Sequence, residues 1–322
     1  MIAMKTYSTL TDKRKFFAQS VVINTPQRFD EEFLKLVELS KNTKIHAVFR
    51  GVPEAKYKLY TSLQRELFNL NLNEEGLGKK MTIKLLANAK NPSSKWANYF
   101  KSMGIVENDW LYLALLQHYG APSPLLDFSK NPKVALYFMC KGLQSRYSVE
   151  EIERYASLVY YKNVEVCKDV AHSLKKTAEE VYKNKAPKPH TNNEIQSLIK
   201  EDLSFEKVMS GQEVEIITAY KGITHISVNK KTVFTLPVTN MNMVSQEGEF
   251  VCNVSDNKSL EEQFQRDGKC YLYCLNIHKS PYNYIVSRYF KGSMEGQSRE
   301  FFPTDRELAS DVRMKALEQL WD

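Results

Sequence analysis

The stretch from Asn108 to Met139 limits the fold more than any other part of this chain. Asn108-Asp109 is a helix start, the run from Trp110 to Tyr119 follows it, and Gly120 stops it as a C-terminal cap. Pro122-Ser123-Pro124 turns the chain, and Leu125-Leu126-Asp127-Phe128 reads as a short, buried strand. Asn131-Pro132 combines a cap with a proline start and opens a second helix through Val134-Ala135-Leu136-Tyr137-Phe138-Met139. Helix, short strand and helix in close succession make the chain mixed α and β, and it carries no internal repeats.

The flanking sequence agrees. Thr25-Pro26 opens a helix whose Phe29, Phe33, Leu34, Leu36 and Val37 follow a helical spacing. After Asn42 the pattern alternates, Ile45, Ala47 and Phe49 against His46, Val48 and Arg50, and a turn is expected at Gly51-Val52-Pro53. Further strands are predicted at Leu158 to Tyr161, Glu213 to Tyr220, Thr232 to Val238, Gly248 to Val254 and Tyr271 to Leu275. Helices are predicted over Lys168 to Lys183, Asn193 to Met209, Pro281 to Phe290, and after Thr304. The stretch of about 164–212 has too little apolar material for its own core and reads as a mostly helical insertion. The expected division is an N-terminal helical segment 1–42, a main domain 43–310 holding that insertion, and the end of a C-terminal helix at 311–322.

Apolar runs are short and interrupted, so no transmembrane helix is expected, and Thr, Asp, Lys and Arg between Met4 and Lys15 break any leader-like core. Five scattered cysteines (Cys140, Cys167, Cys252, Cys270, Cys274) suit reduced thiols and a cytoplasmic setting better than a disulfide framework. Cys270 and Cys274 are spaced to share a strand face but have no histidine pair nearby, so no metal is expected. A net charge of +7 permits an anionic partner without requiring one, and the densest basic stretch, Lys175 to Lys188, includes Glu179 and Glu180. There is no phosphate-binding glycine loop and no nucleophile elbow. His46, His172, His190, His225 and His278 are isolated and read as structural.

Three segments are harder to explain by packing. In Phe49-Arg50-Gly51 a cation ends an interior-looking strand beside a glycine that permits close backbone approach, as an anion-binding cleft requires. Leu59, Ser62 and Arg65 follow downstream, and an exposed strand-end arginine is an equal alternative. In Gln117 to Phe138, His118 ends a helix and Asp127 a strand, with Ser129 before the next helix; Asp127 and Ser129 also qualify as caps for that helix. In Met243 to Phe250, an extended chain places Gln246, Gly248 and Phe250 on one face and Glu247 and Glu249 on the other.

At these residues the chain resembles the FRG domain family, named for the triplet that stands here as Phe49-Arg50-Gly51. The stretch Gln117-His118-Tyr119-Gly120-Ala121-Pro122-Ser123-Pro124-Leu125-Leu126-Asp127-Phe128-Ser129 is similar to that family's most diagnostic motif, and Ala135-Leu136-Tyr137-Phe138 follows it. Gln246-x-Gly248-x-Phe250 and the late Phe302-Pro303 keep the family order, so the likeness runs from about residue 45 to 310, weakly over 141–230. Ser123 stands for the usual Thr, Phe128 for Trp, Met243 for a common basic residue, and Thr304-Asp305 departs from the usual Pro-Asp.

The family brings no settled activity. Its motif order is also similar to that of ADP-ribosyltransferases, which implies an α+β fold with a mixed, split antiparallel sheet core, flanking helices and the helical insertion. On that resemblance the chain is a divergent NAD-dependent ADP-ribosyltransferase modifying a nucleic acid or protein. Arg50, Gly51, Tyr57, Arg65, Tyr119 and Ser129 would then bind NAD as substrate, and Gln246, Asp127 and His118 would act in catalysis. Asp127 or Glu249 would supply the carboxylate that Gln246 lacks. The likeness to proteins of bacterial mobile elements and phage defence implies a toxin or defence effector, with an antitoxin or defence-system partner and no membrane. Two alternatives stay open: a non-catalytic nucleotide or nucleic-acid sensor, and a nucleic-acid hydrolase using His118 and Asp127.

Overall fold

A computed structural model describes residues 4–42, 45–72, 75–91, 108–141, 143, 150–163, 204–210, 214–220, 223–228, 232–236, 245–266, 269–291, 294 and 301. Along the chain run α1 (Leu10–Arg14), β1 (Gln19–Ile23), α2 (Pro26–Lys41), β2 (His46–Val52), α3 (Ser62–Asn69), α4 (Leu77–Ala89) and α5 (Asp109–His118). Then come β3 (Leu125–Ser129), α6 (Pro132–Lys141), a 3-10 turn at Glu151–Arg154, β4 (Tyr155–Asn163), α7 (Phe205–Val208), β5 (Val214–Tyr220), β6 (Ile223–Val228) and β7 (Thr232–Leu236). The described part closes with β8 (Gly248–Asn253), α8 (Leu260–Gln263), β9 (Gln265–Arg266), β10 (Lys269–Cys270), β11 (Leu272–His278) and α9 (Tyr282–Tyr289).

One mixed sheet has the order β1-β11-β4-β2-β3-β8-β5-β6-β7, with β9 and β10 a separate small hairpin. The pair β1–β11 is parallel and the other pairs of the sheet are antiparallel. Pairing is uneven. Strand β2 is matched to β4 from His46 to Val52 and β3 to β8 from Leu125 to Ser129, whereas β2 and β3 meet only at Phe49↔Ser129. The sheet is thus two ladders joined at a single residue pair.

Both faces of the sheet are covered. On one face Phe49, Leu158, Tyr160, Leu275 and Ile277 pack beneath α2, α6 and α9, and Leu125, Phe250 and Cys252 pack with α4 and α5. On the other, Val48, Val52, Phe128, Val159 and Cys274 lie under the N-terminal segment, which brings Tyr7 and Phe17, together with Leu59 and Leu260. This is why Ala47, Val48 and Phe49 are consecutively buried where strict alternation is expected of a sheet wet on one side.

The predicted starts hold where caps were legible. Thr25 Oγ1 accepts from the Arg28 amide at 3.3 Å, ahead of Pro26. The Asn108 side chain accepts from the Trp110 and Leu111 amides, each at 3.1 Å. Gly120 takes φ 77°, a left-handed backbone that relieves the end of α5. Asn131 Oδ1 accepts from the Lys133 amide at 2.9 Å, so Asn131 caps α6 and neither Asp127 nor Ser129 does so.

Other expectations change. The segment before residue 42 is not only helical, since β1 adds an edge strand beside β11. Strand β6 and helices α3 and α4 were not predicted; α3 nevertheless carries a legible signal, a capping box between Thr61 and Gln64. Cys270 lies on β10 and the buried Cys274 on β11, so they do not share one strand. The predicted helix Lys168 to Lys183, most of Asn193 to Met209 and the helix after Thr304 lie outside the described residues.

Candidate functional site

The break between β2 and β3 opens into a cleft of about 390 Å³. Its floor follows from register: Phe49 and Ser129 face each other across the join, Ser129 opposes Gly248, and Asp127 opposes Phe250. Opposed residues share a sheet face, so this set points toward the helices. Ala114, Gln117 and His118 from α5 form one wall, and Val134, Ala135 and Phe138 from α6 the other. Arg50, His118, Asp127 and Gln246, four positions spread over nearly 200 residues of sequence, all line this one cleft.

Arg50 stands at its centre. One guanidinium nitrogen donates to the Asp127 carbonyl, which holds the side chain across the gap that the missing ladder bonds leave. Its Nε is closed off from solvent and has no hydrogen-bond acceptor among the described residues. Burial pulls the guanidinium below its ordinary value, with the Asp127 carboxylate opposing that shift and Arg65 adding to it. The Asp127 carboxylate itself is exposed to the cleft and accepts from Gln117 Nε2 at 3.0 Å.

Gly51 is explained by packing. A Cβ there would lie 1.9 Å from the Ala135 carbonyl oxygen and 2.5 Å from the Met139 amide nitrogen, so only glycine lets α6 lie this close on β2. Gly51 lines the cleft, but its small size serves the helix that forms the cleft wall. Ser129, expected to contact a ligand, has its hydroxyl committed to the backbone. It donates to the Gln246 carbonyl at 2.5 Å and accepts from the Asn131 amide at 2.9 Å.

Gln246 departs from expectation as well. Glu247 has φ 46°, a left-handed conformation, and β8 begins only at Gly248, so Gln246 sits in a turn and not in extended register with Gly248 and Phe250. Its Nε2 donates to the Phe301 carbonyl at 2.9 Å. Three further candidates do not line the cleft. Tyr57 is 41% exposed and pairs with Thr6 in the segment over the opposite sheet face. Arg65 is exposed on α3 and reaches Arg50 only electrostatically. Tyr119 is 66% exposed and touches His118 edge-on, ring centroids 5.0 Å apart. His118 makes no hydrogen bond to Asp127 among the described residues, because Gln117 occupies that role.

Glu249, expected as an alternative carboxylate, and His46, expected to be structural, come together in the structure. Glu249 lines the cleft with its side chain fully buried. Its Oε2 lies 3.0 Å from His46 Nε2 and its Oε1 3.0 Å from Lys130 Nζ. His46 is isolated in sequence, but His46, Val48 and Arg50 alternate along one strand and share a face. Among the described residues no group of three or more His, Cys, Asp or Glu could hold a metal ion, and no helix is long and apolar enough to cross a membrane.

Residues 45–148 match the family model of the FRG domain, a span that holds Phe49-Arg50-Gly51 and the whole of the Gln117 to Phe138 stretch. The Gln246 turn and Glu249 lie beyond it. No curated protein and no solved structure matches the chain.

Proposed function

We propose that this chain, which carries an FRG domain at residues 45–148, is a transferase that takes NAD as substrate and passes ADP-ribose to a nucleic acid or protein. The observation that carries the reading is the character of the cleft. Phe49, Phe128, Phe138 and Phe250 give it an aromatic lining, and Arg50, Asp127 and Glu249 give it a few fixed charges. A cavity of about 390 Å³ with that balance suits a ring-bearing small molecule. A nucleic-acid groove would be lined mainly by cations, and here two carboxylates outnumber the single arginine.

Breaking a nicotinamide–ribose bond builds positive charge at the sugar, which a nearby carboxylate stabilises. Asp127 is the accessible carboxylate, and Gln117 fixes its orientation. Arg50 is pre-positioned by the Asp127 carbonyl, and as the arginine of the cleft lining it offers positive charge to an anionic oxygen. His118, exposed at the rim, is placed to meet the acceptor molecule. In this reading Gln246 supports the cleft through Phe301 and takes no part in bond cleavage. A cytoplasmic toxin or phage-defence role, with an antitoxin or defence-system partner, goes with it.

One observation favours a second reading, a nucleotide-binding sensor without catalysis: the Gln246 amide and the Ser129 hydroxyl are both spent on the protein backbone. A single experiment separates the two. The protein is incubated with NAD alone and with RNA, DNA or protein targets, and released nicotinamide is measured. Release abolished by Arg50→Ala and reduced at least tenfold by Asp127→Asn supports the transferase. Binding of NAD without release from any target moves the reading to the sensor.

A further inference from the structure

Lys13, on the short helix α1, is only 1% exposed, which is rare for a lysine. Its Nζ lies 5.7 Å from the Tyr7 ring centroid and 5.9 Å from that of Phe17. A buried amine is costly without a carboxylate partner. Glu261, the acid whose charge reaches Lys13, is taken up by the Tyr7 hydroxyl at 2.5 Å and the Leu59 amide at 3.1 Å. Lys13 Nζ donates to two neutral oxygens, the Ala55 carbonyl at 2.9 Å and Ser157 Oγ at 2.6 Å. Ser157 sends its own hydrogen to Asn276 Oδ1 at 3.0 Å, so toward Lys13 it is an acceptor. Two acceptors use the two hydrogens of a neutral amine.

The remaining position on that nitrogen is left for Cys274. Cys274 and Asn276 share a face of β11, and Asn276 opposes Ser157 on β4. The Cys274 thiol meets the side chains of both Lys13 and Ser157, and its Sγ lies 3.4 Å from Asn276 Oδ1. It is 1% exposed and forms no disulfide. Burial raises the thiol and lowers the amine, which favours the neutral form of each. A neutral amine is both a base and a nucleophile, whereas an ammonium is neither. Asn276 Nδ2 donates to Ser20 Oγ at 2.9 Å, so these polar groups run from the thiol to half-buried Ser20 on the edge strand β1.

We propose that Lys13 and Cys274 form a reversible sulfur–nitrogen crosslink, with hydrogen peroxide as the oxidant. In the first step Lys13 takes the thiol proton and the sulfur attacks one peroxide oxygen. The O–O bond breaks, the sulfur is oxidised by two electrons, and a sulfenic acid and one water result. The Lys13 nitrogen, neutral again, then attacks that sulfur. The S–N bond forms, the S–O bond breaks, and the hydroxyl leaves with an amine proton as a second water. A thiol reductant attacks the crosslinked sulfur and returns the free thiol and amine. The bond joins α1 to β11, and it is independent of the transferase reading.

In the test, the full chain is treated with hydrogen peroxide, denatured, alkylated with iodoacetamide and mapped by tryptic mass spectrometry. The expected product joins the Lys13 and Cys274 peptides, is two hydrogens lighter than their sum, is uncleaved after Lys13, and disappears with dithiothreitol. Lys13→Met should leave Cys274 as a sulfenic acid that dimedone traps, and Cys274→Ser should restore cleavage after Lys13. The wild-type map decides the question even where a variant fails to fold. A Cys274 that stays alkylatable, or that proceeds to sulfinic acid while Lys13 remains cleavable, overturns the proposal. So does peroxide oxidation confined to the more exposed Cys270.

Discussion

Replacing Gly51 by alanine separates two explanations of the Phe-Arg-Gly triplet. If the glycine is there to let a ligand approach the backbone, Gly51→Ala should lose binding and keep its stability. The geometry argues the reverse. The added methyl would stand 1.9 Å from the Ala135 carbonyl oxygen, 2.5 Å from the Met139 amide and 2.9 Å from Met139 Cβ, two of these three being backbone atoms within a helix. Restoring ordinary contact requires α6 to move by roughly 1.3 Å away from β2, taking the buried Val134, Ala135, Leu136, Tyr137 and Met139 with it. Overpacking of this kind costs about 3 kcal/mol. Unfolding entropy for a chain of this length is about 0.7 kcal/mol/K, so the melting temperature should fall by roughly 4 °C. Differential scanning calorimetry of wild-type and Gly51→Ala protein measures this directly, and Arg50→Ala serves as a comparison that adds no clash. A Gly51→Ala protein that melts within a degree of wild type, while losing ligand affinity, would refute the packing argument.

Three other outcomes are expected. Glu261 is fully buried, and burial raises its carboxyl above the ordinary 4.5 despite the Tyr7 hydroxyl and Leu59 amide that bond it. A raised folded value means the protonated form favours folding at low pH and that contribution is lost as pH rises; Glu261→Gln should therefore be at least as stable as wild type at pH 7, with any advantage shrinking as pH falls toward 4.5 in urea titrations. Asn108→Ala removes the side-chain acceptor for two amides of α5 and should cost about 1–2 kcal/mol, read as a lower urea midpoint at unchanged slope. Gln117→Leu frees the Asp127 carboxylate from its only side-chain hydrogen bond among the described residues. It should lower nicotinamide release at least tenfold while shifting the melting temperature by about 1 °C or less, and unimpaired release would remove Gln117 from the site.

The local grammar of the chain was legible because it is chemically local. Caps at Thr25, Asn108 and Asn131, the stop at Gly120 and the short apolar run at Leu125 each act within a few residues, and each stands where the sequence puts it. The approximate membership of the site was legible for a similar reason: polar residues at the ends of elements have few packing roles to fill. Their individual duties were not. Gly51 looked like a ligand-approach glycine until α6 was seen lying on it, and Ser129 looked available until the Gln246 turn was seen to use its hydroxyl.

What the sequence determined by itself is the elements with legible caps and periodicity, among them α2, β2, α5, β3 and α6, and the motif positions Arg50, His118, Asp127 and Gln246. What only the tertiary structure decided is the single residue pair that joins β2 to β3, the cleft that opens beside it, and the meeting of His46 and Lys130 with Glu249. The physical reason is the range of the interactions. Capping and periodicity are satisfied within one turn or one strand, whereas ladder register and the pairing of buried charges depend on residues about 80 to 200 positions apart, whose proximity only the packed sheet supplies.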